Sequence, residues 1–236
     1  MNAREAALEA RITAGEKASA GAPESASVAG LAKIPPPTIE RLSAYLQCVR
    51  ALQGETKIAA SSAEIAKRTG INAAQLRKDL SYFGEFGTPG LGYDLRALET
   101  HLSRIMGLDT ERDVLLVGAG NLGRALSSYT GFGRRGFRIV AAFDLAEGVV
   151  GSHIGPVEVH HMRDLVRING EIGAEVGVIA VPIAAADAAL DALIAAGVRA
   201  VLNFAPVSLA ARPGVTVRNV DLTSQMEILS YYLHAQ

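Results

Sequence analysis

Three glycines and one aspartate carry the plainest chemical signal in this chain. Gly118-x-Gly120-x-x-Gly123 directly follows the apolar run Val114-Leu115-Leu116-Val117 and opens a helical stretch reaching about Tyr129. In that setting the first glycine permits a tight turn and the second lets the backbone approach a pyrophosphate. The third allows close helix–strand packing. Ala119, Asn121 and Leu122 supply the intervening backbone, and the N–H groups at the helix start face the phosphates. The next strand-like run, residues 138–143, ends at Asp144, 21 residues beyond Gly123. A carboxylate there accepts both ribose hydroxyls of an adenosine and repels a 2′-phosphate, which favours NAD(H) over NADP(H). The competing reading is a glycine-rich turn that packs a sheet and holds no ligand.

A second constellation lies upstream. Ser61-Ser62-Ala63-Glu64 has the form of a capping box ahead of Ile65, and the helix it opens stops at Thr69-Gly70. Asn72-Ala73-Ala74-Gln75 starts another helix, expected to end at Gly84, which gives a helix-turn-helix. Leu76, Leu80 and Phe83 share its inward face. Advancing about 100° per residue turns Gln75, Lys78, Ser81 and Tyr82 outward, with Arg77 on the shoulder. Residues 65–78 hold Lys67, Arg68, Arg77 and Lys78 and no acid. The cations suit phosphates; Gln75, Ser81 and Tyr82 suit base edges or sugar oxygens of double-stranded DNA. The glycine-rich segment 84–93 is expected to form a β-ribbon, placed as a wing for the minor groove. A packing unit with a solvated basic face is the bland alternative.

These groups are positioned by two predicted units. Residues 1–33, rich in Ala, Glu, Ser and Gly and devoid of aromatics, read as a disordered tail. Residues 34–108 form a winged-helix unit of α+β type. Its first helix carries the stripe Ile39, Leu42, Leu46 and Val49, with Cys48 off that stripe, and its last carries Leu95, Leu98, Leu102 and Ile105. Residues 109–220 alternate strands (114–117, 137–143, 157–160, 176–181, 200–204, 215–220) with helices, notably 184–196. That is the pattern of an α/β, doubly wound, mostly parallel sheet of Rossmann type. Residues 221–236 hold a final helix bearing Met226, Leu229, Tyr232 and Leu233.

Composition sets limits. A net charge of −1 excludes a protein basic throughout but not a local basic patch. One cysteine, Cys48, excludes an internal disulfide framework and a Cys-based zinc site and points to a reducing, cytoplasmic setting. Glu5, Glu9 and Glu16 interrupt any apolar leader, and no run approaches the roughly 18 apolar residues of a membrane span. His101, His153, His160, His161 and His234 form no evident general acid–base grouping, so no catalytic residue is assigned. The nucleotide is expected to be sensed rather than turned over.

From residue 34 to about 234 the chain resembles the Rex-type redox-sensing transcriptional repressors of bacteria. Leu76-Arg77-Lys78-Asp79-Leu80-Ser81-Tyr82-Phe83-Gly84 is similar to that family's recognition-helix signature, and Gly90-Leu91-Gly92-Tyr93 to the end of its wing. Gly118 to Gly123, Tyr129-Thr130-Gly131-Phe132, Phe143-Asp144, Val181-Pro182 and Asn203-Phe204-Ala205-Pro206 also have family counterparts. The resemblance implies a homodimer whose winged helices bind a palindromic operator, released by NADH and permitted by NAD⁺. It implies NAD(H) contacts from Tyr129, Phe132, Val181, Pro182 and Asn203. Asn219-Val220-Asp221-Leu222 resembles the segment leading into a helix swapped between subunits.

Two positions depart from the pattern. The family usually has an arginine where Gln47 stands, pairing with the aspartate that corresponds to Asp221 of the partner chain; a glutamine offers only a neutral hydrogen bond. A basic residue is usual where Pro89 stands. The alternative functions are an NAD-dependent oxidoreductase with an accessory helix-turn-helix for dimerisation, and a coenzyme A- or nucleotide-binding module. NADH consumption with small carbonyl compounds would mark the enzyme; sequence-selective DNA retention marks the regulator.

Overall fold

The computed structural model describes residues 34–88 and 90–234, so the predicted tail and Pro89 lie outside the described residues. The chain divides into two compact units between Met106 and Gly107.

In the first unit, α1 (Pro36–Gly54) opens with prolines in its first turn, where a missing N–H costs nothing. β1 (Ala59–Ala60), α2 (Ser62–Thr69), α3 (Ala73–Ser81), β2 (Tyr93–Asp94) and α4 (Leu95–Ile105) follow. α1 packs against α4 and α2. Its buried stripe differs from the expected one. Leu42, Leu46 and Val49 are buried as predicted, but Ile39 is 42% exposed, and Thr38, Tyr45, Cys48 and Leu52 are buried. Cys48 is therefore a core residue, and burial pushes its thiol up, away from the reactive thiolate.

The N-cap half of each predicted box forms: Ser61 Oγ accepts from the Glu64 N–H at 3.1 Å, and Asn72 Oδ1 from the Ala74 N–H at 2.7 Å. The Glu64 side chain turns to Lys57 and that of Gln75 to Asp79 instead of reaching back. Gly70 closes α2 in the left-handed region. α3 stops at Ser81, three residues before its expected end, and Tyr82 and Phe83 enter a turn. Among the described residues the expected ribbon within 84–93 is confined to one bridge, Thr88 to Gly92. The strand ladder instead joins β2 to β1, upstream of α2. Gly84, Gly87, Gly90 and Gly92 all have positive φ, which bends this segment out of the extended conformation.

The second unit holds β3 (Arg112–Val117), α5 (Asn121–Ser127), α6 (Thr130–Gly133), β4 (Phe137–Asp144), β5 (His153–Ile154) and β6 (Val157–His161). After a 3-10 turn come α7 (Leu165–Ile172), β7 (Val176–Ile179), α8 (Ile183–Ala195), β8 (Ala200–Asn203), β9 (Thr216–Asn219) and α9 (Leu222–His234). β5 and α7 were not expected from the sequence. The sheet order is β5-β6-β4-β3-β7-β8-β9, parallel except for β5 at the edge. Alternation along β3 shows why both faces are covered. Leu115 and Val117 enter one apolar cluster with Leu190 and Leu193 of α8; Val114 and Leu116 enter another with Ala142 and Val157.

α9 behaves differently. Its large apolar side chains, including Met226, Leu229 (55%) and Tyr232 (60%), are exposed, and it has no buried residue. Among the described residues no helix is long and apolar enough to cross a membrane.

Candidate functional site

β3 sits where the chain order reverses, with β4 on one side and β7 on the other, and a crevice opens beyond the carboxyl ends of these strands. The three glycines have three separate jobs. At Gly118, φ is +103° and a Cβ would stand 2.4 Å from the Ala180 carbonyl oxygen. At Gly123 a Cβ would lie 1.9 Å from the Gly118 carbonyl oxygen, so only glycine lets α5 close on the loop. A Cβ at Gly120 would meet no atom of the described residues within 4 Å beyond its chain neighbours. That open space is what a phosphate approaching the backbone requires, so the residues fit a dinucleotide.

Asp144 is tied to the loop. Its Oδ2 accepts from the Ala119 N–H at 2.7 Å and its Oδ1 from the Ala146 N–H at 2.9 Å. Each oxygen keeps a lone pair for a ribose hydroxyl. The cavity is about 580 Å³, with Gly118, Gly120 and Asp144 at its polar side and Leu145, Val181 and Pro182 among its apolar walls. Leu145, exposed beside the acid, was missed by sequence reasoning; an apolar residue directly after a strand-ending acid was the available signal. Asn121 and Leu122 are exposed at the start of α5, outside the cavity lining.

Other expected contacts are placed elsewhere. Tyr129 and Phe132 meet edge to face at 5.2 Å and line a second hollow of about 410 Å³ with Phe137, Ile139 and Pro156. Asn203 is fully buried. Its amide nitrogen donates to Val207 O and Asn219 Oδ1, and its oxygen accepts from the Ala205 N–H. Its amide protons are spent on shaping the loop after β8, which corrects its assignment to the cofactor. His161 Nε2 lies 3.8 Å from the exposed Glu147, while its Nδ1 accepts from the Arg163 N–H. Among the described residues no three His, Cys, Asp or Glu side chains gather as a metal site.

In the first unit, Lys67, Lys78, Ser81 and Tyr82 are exposed. Arg77 is exposed with a guanidinium N–H on Ser62 Oγ at 2.8 Å, and Ser81 Oγ donates back to Lys78 O. Arg77 and Ser81 line a groove of about 660 Å³ with Ser61, Ser62, Phe86 and Tyr93. The basic run is less free than the sequence implies. Arg68 forks onto Glu55 at 2.6 and 2.7 Å, and, outside the run, Lys57 pairs with Glu64. The Glu55 carboxyl is held below its usual range by Arg68.

Gln75 also departs from expectation. It is half-buried, and its amide nitrogen donates to Asp79 Oδ1 at 2.8 Å rather than pointing outward. Asp79 has no exposed surface and was not singled out as a site residue. Its oxygens also accept from Arg41 (2.6 and 2.8 Å), Tyr45 (2.8 Å) and Thr38 (3.2 Å), which fastens α3 to α1. Burial alone would push the Asp79 carboxyl up. Bonds from Arg41, Gln75 and Tyr45 outweigh it and hold the group below the usual carboxylate range.

Gln47 is exposed on α1 and Leu222 on α9. Asp221 caps α9: its Oδ1 accepts from the Ser224 N–H at 3.0 Å and its Oδ2 from the Ser224 hydroxyl. Those Ser224 bonds lower its carboxyl from the ordinary value.

Residues 33–81 match the family profile described as "Putative DNA-binding protein N-terminus", and residues 109–207 the one described as "CoA binding domain". The redox-sensing transcriptional repressor Rex of Streptomyces griseus subsp. griseus is 44% identical over 199 residues, spanning 84% of this chain and 79% of that protein. Rex of Carboxydothermus hydrogenoformans is 45% identical over 84% of this chain and 96% of that one. Among solved structures, RSP in complex with β-NAD⁺ and operator DNA superposes with a TM-score of 0.81 at 32% identity, covering 86% of this chain and 93% of RSP. RSP in complex with β-NADH gives 0.79 at 30%, covering 86% and 95%. On this identity across both units, the chain belongs to the Rex family of redox-sensing transcriptional repressors.

Proposed function

We propose that this chain binds a palindromic operator as a homodimer in the cytoplasm and leaves it when NADH fills the cleft beside Asp144. The observation that carries the reading is the open backbone at Gly120 next to a carboxylate locked to the same loop, a seat for pyrophosphate and ribose. The solved complexes of RSP with β-NAD⁺ plus operator DNA, and with β-NADH, support it. Asp144 repels a 2′-phosphate, which makes NAD(H) the effector rather than NADP(H).

The redox state is read through the nicotinamide. NAD⁺ carries a ring cation, whose burial without a partner is costly, whereas the dihydronicotinamide is neutral. The exposed apolar face of α9 is covered by a second copy of the chain, in keeping with the swapped helix that the resemblance implies. Ligand closure then changes the spacing of the two α3 helices, which must match half-sites a whole number of turns apart. A 100-fold preference for one state supplies about 2.7 kcal/mol. With Gln47 in place of an arginine, the link to Asp221 of the second copy rests on a neutral hydrogen bond, so the response is blunted.

The test is a titration of NADH and of NAD⁺ into the protein bound to labelled operator DNA selected from a random pool. NADH releases the DNA at concentrations where NAD⁺ does not. Equal effects of the two nucleotides would end the redox-sensor reading.

A further inference from the structure

The bond between Gln75 and Asp79 decides which end of the Gln75 amide faces outward. Asp79 is ionised and wholly buried, and a carboxylate only accepts hydrogen bonds. The group that Gln75 brings to it at 2.8 Å is therefore the NH₂ end. Among the described residues nothing donates to the other end, Oε1. A free glutamine turns its amide over and meets either a donor or an acceptor. Here that turn would set Oε1 against the Asp79 carboxylate, so the orientation is fixed. Asp79 itself is held by Arg41, Tyr45 and Thr38 of α1, which makes the anchor rigid.

Gln75 lies at the third position of α3, the end of a recognition helix that meets base edges. We propose that Gln75, its amide nitrogen held inward by Asp79, selects the base it meets as an acceptor. It takes adenine N6–H or cytosine N4–H and refuses guanine and thymine, whose O6 and O4 would face Oε1 oxygen to oxygen. This makes it a specificity-determining residue with Asp79 as its positioning residue. The inference rests on the operator-binding reading above.

The experiment selects full-length wild-type protein, Gln75→Leu and Gln75→Lys on a palindromic DNA pool with randomised half-sites, and sequences the bound fraction. Wild type enriches an amino base, A or C, at one half-site position by about tenfold. Gln75→Leu loses the preference at that position and keeps the others. Gln75→Lys still donates to Asp79 but presents only donors, so the preference turns to G or T. The inference is overturned if Gln75→Leu keeps the wild-type profile at every position. It is equally overturned if the position that changes favours G or T in the wild type. A wild-type selection that enriches no palindrome overturns the operator-binding reading itself, and this one with it. That failure shows in the wild-type arm alone, apart from any variant.

Discussion

The Ala119 N–H and the Asp144 carboxylate are joined at 2.7 Å across 25 residues, so the glycine loop is tied directly to the end of β4. An acid at this position commonly appears in sequence reading only as a ribose partner. In this chain it also sets the loop conformation, before any ligand arrives.

Asp144→Ala therefore removes two backbone anchors together with the proposed ribose acceptor. Hydrogen bonds to a charged group contribute about 1.5–3 kcal/mol, so NADH affinity falls by roughly 10- to 100-fold. The NADPH/NADH affinity ratio rises at the same time, because the repulsion of a 2′-phosphate is gone. Calorimetric titration of both nucleotides measures this, and an unchanged ratio would remove Asp144 from the ribose site.

Gly120 and Gly123 separate binding from folding. Gly123→Ala drives a methyl into the Gly118 carbonyl oxygen, 1.9 Å away, and backbone there cannot give way cheaply. The second unit loses at least about 1–3 kcal/mol and melts roughly 5–10 °C lower. Gly120→Ala meets no atom of the described residues within 4 Å beyond its chain neighbours, so its melting temperature stays near wild type while NADH binding weakens at least about tenfold. Thermal melts beside nucleotide titrations check both halves. Equal destabilisation by the two variants would mean that Gly120 serves packing.

Asp79 makes the first unit acid-sensitive. Its folded carboxyl sits below the usual range, so the unfolded chain binds the proton more readily. The stabilisation is complete above the unfolded value of about 4 and is lost as pH falls through the lower folded one. Melts of Asp79→Asn therefore vary less with pH below about 4 than those of the wild type. Asp79→Ala at neutral pH costs about 3 kcal/mol, the low end for breaking a buried pair, because the Arg41 side chain keeps 27% exposure. A wild-type slope in Asp79→Asn would place the acid sensitivity elsewhere.

What the sequence disclosed and what it hid follow the range of each interaction. Caps at Ser61 and Asn72 are local, within three residues, and were legible; so were the glycine loop and its acid, because a strand, a turn and a helix frame them. Asp79 was legible only as one letter of a motif. Its donors Arg41 and Tyr45 lie 38 and 34 residues away, and only the packing of α1 on α3 brings them in. Arg68 looked free because Glu55 lies outside the acid-free window 65–78. Asn203 looked available because its partner Asn219 belongs to a strand 16 residues on. α7 was missed although Leu165, Ile168 and Ile172 have helical spacing. Val166, Ile168 and Gly170 weaken its intrinsic preference, and packing of α8 against it supplies what propensity lacks.

The two kinds of cation on the first unit should differ in how they answer to salt. Lys78 is exposed on α3, and Lys78→Ala lowers operator affinity and reduces the salt slope by about one. Arg68 is already neutralised by Glu55, so Arg68→Ala leaves the slope nearly unchanged. Glu55→Gln frees the Arg68 guanidinium and steepens the slope. A salt series on one operator distinguishes the three, and a loss for Arg68→Ala equal to that for Lys78→Ala would show the ion pair opening on DNA.

α9 presents Met226, Leu229, Tyr232 and Leu233 to solvent along 13 residues, a length at which an isolated helix is marginal in water. Among the described residues none of α9 is buried, and each of these four side chains keeps more than half of its surface in solvent, whereas fully burying one such side chain contributes about 1.5–3 kcal/mol. A second copy is the occupant that the proposed function supplies. Light scattering at micromolar concentration should therefore give a dimer. Met226→Glu combined with Leu229→Glu should give a monomer with less helix by circular dichroism. The dinucleotide loop is held by its own unit, Gly118 N–H on Phe143 O and Ala119 N–H on Asp144 at the end of β4, so the monomer still binds the adenosine half of NADH but no longer retains the operator. A wild-type chain that runs as a monomer at that concentration would leave the apolar face without its partner and remove the dimer from the mechanism.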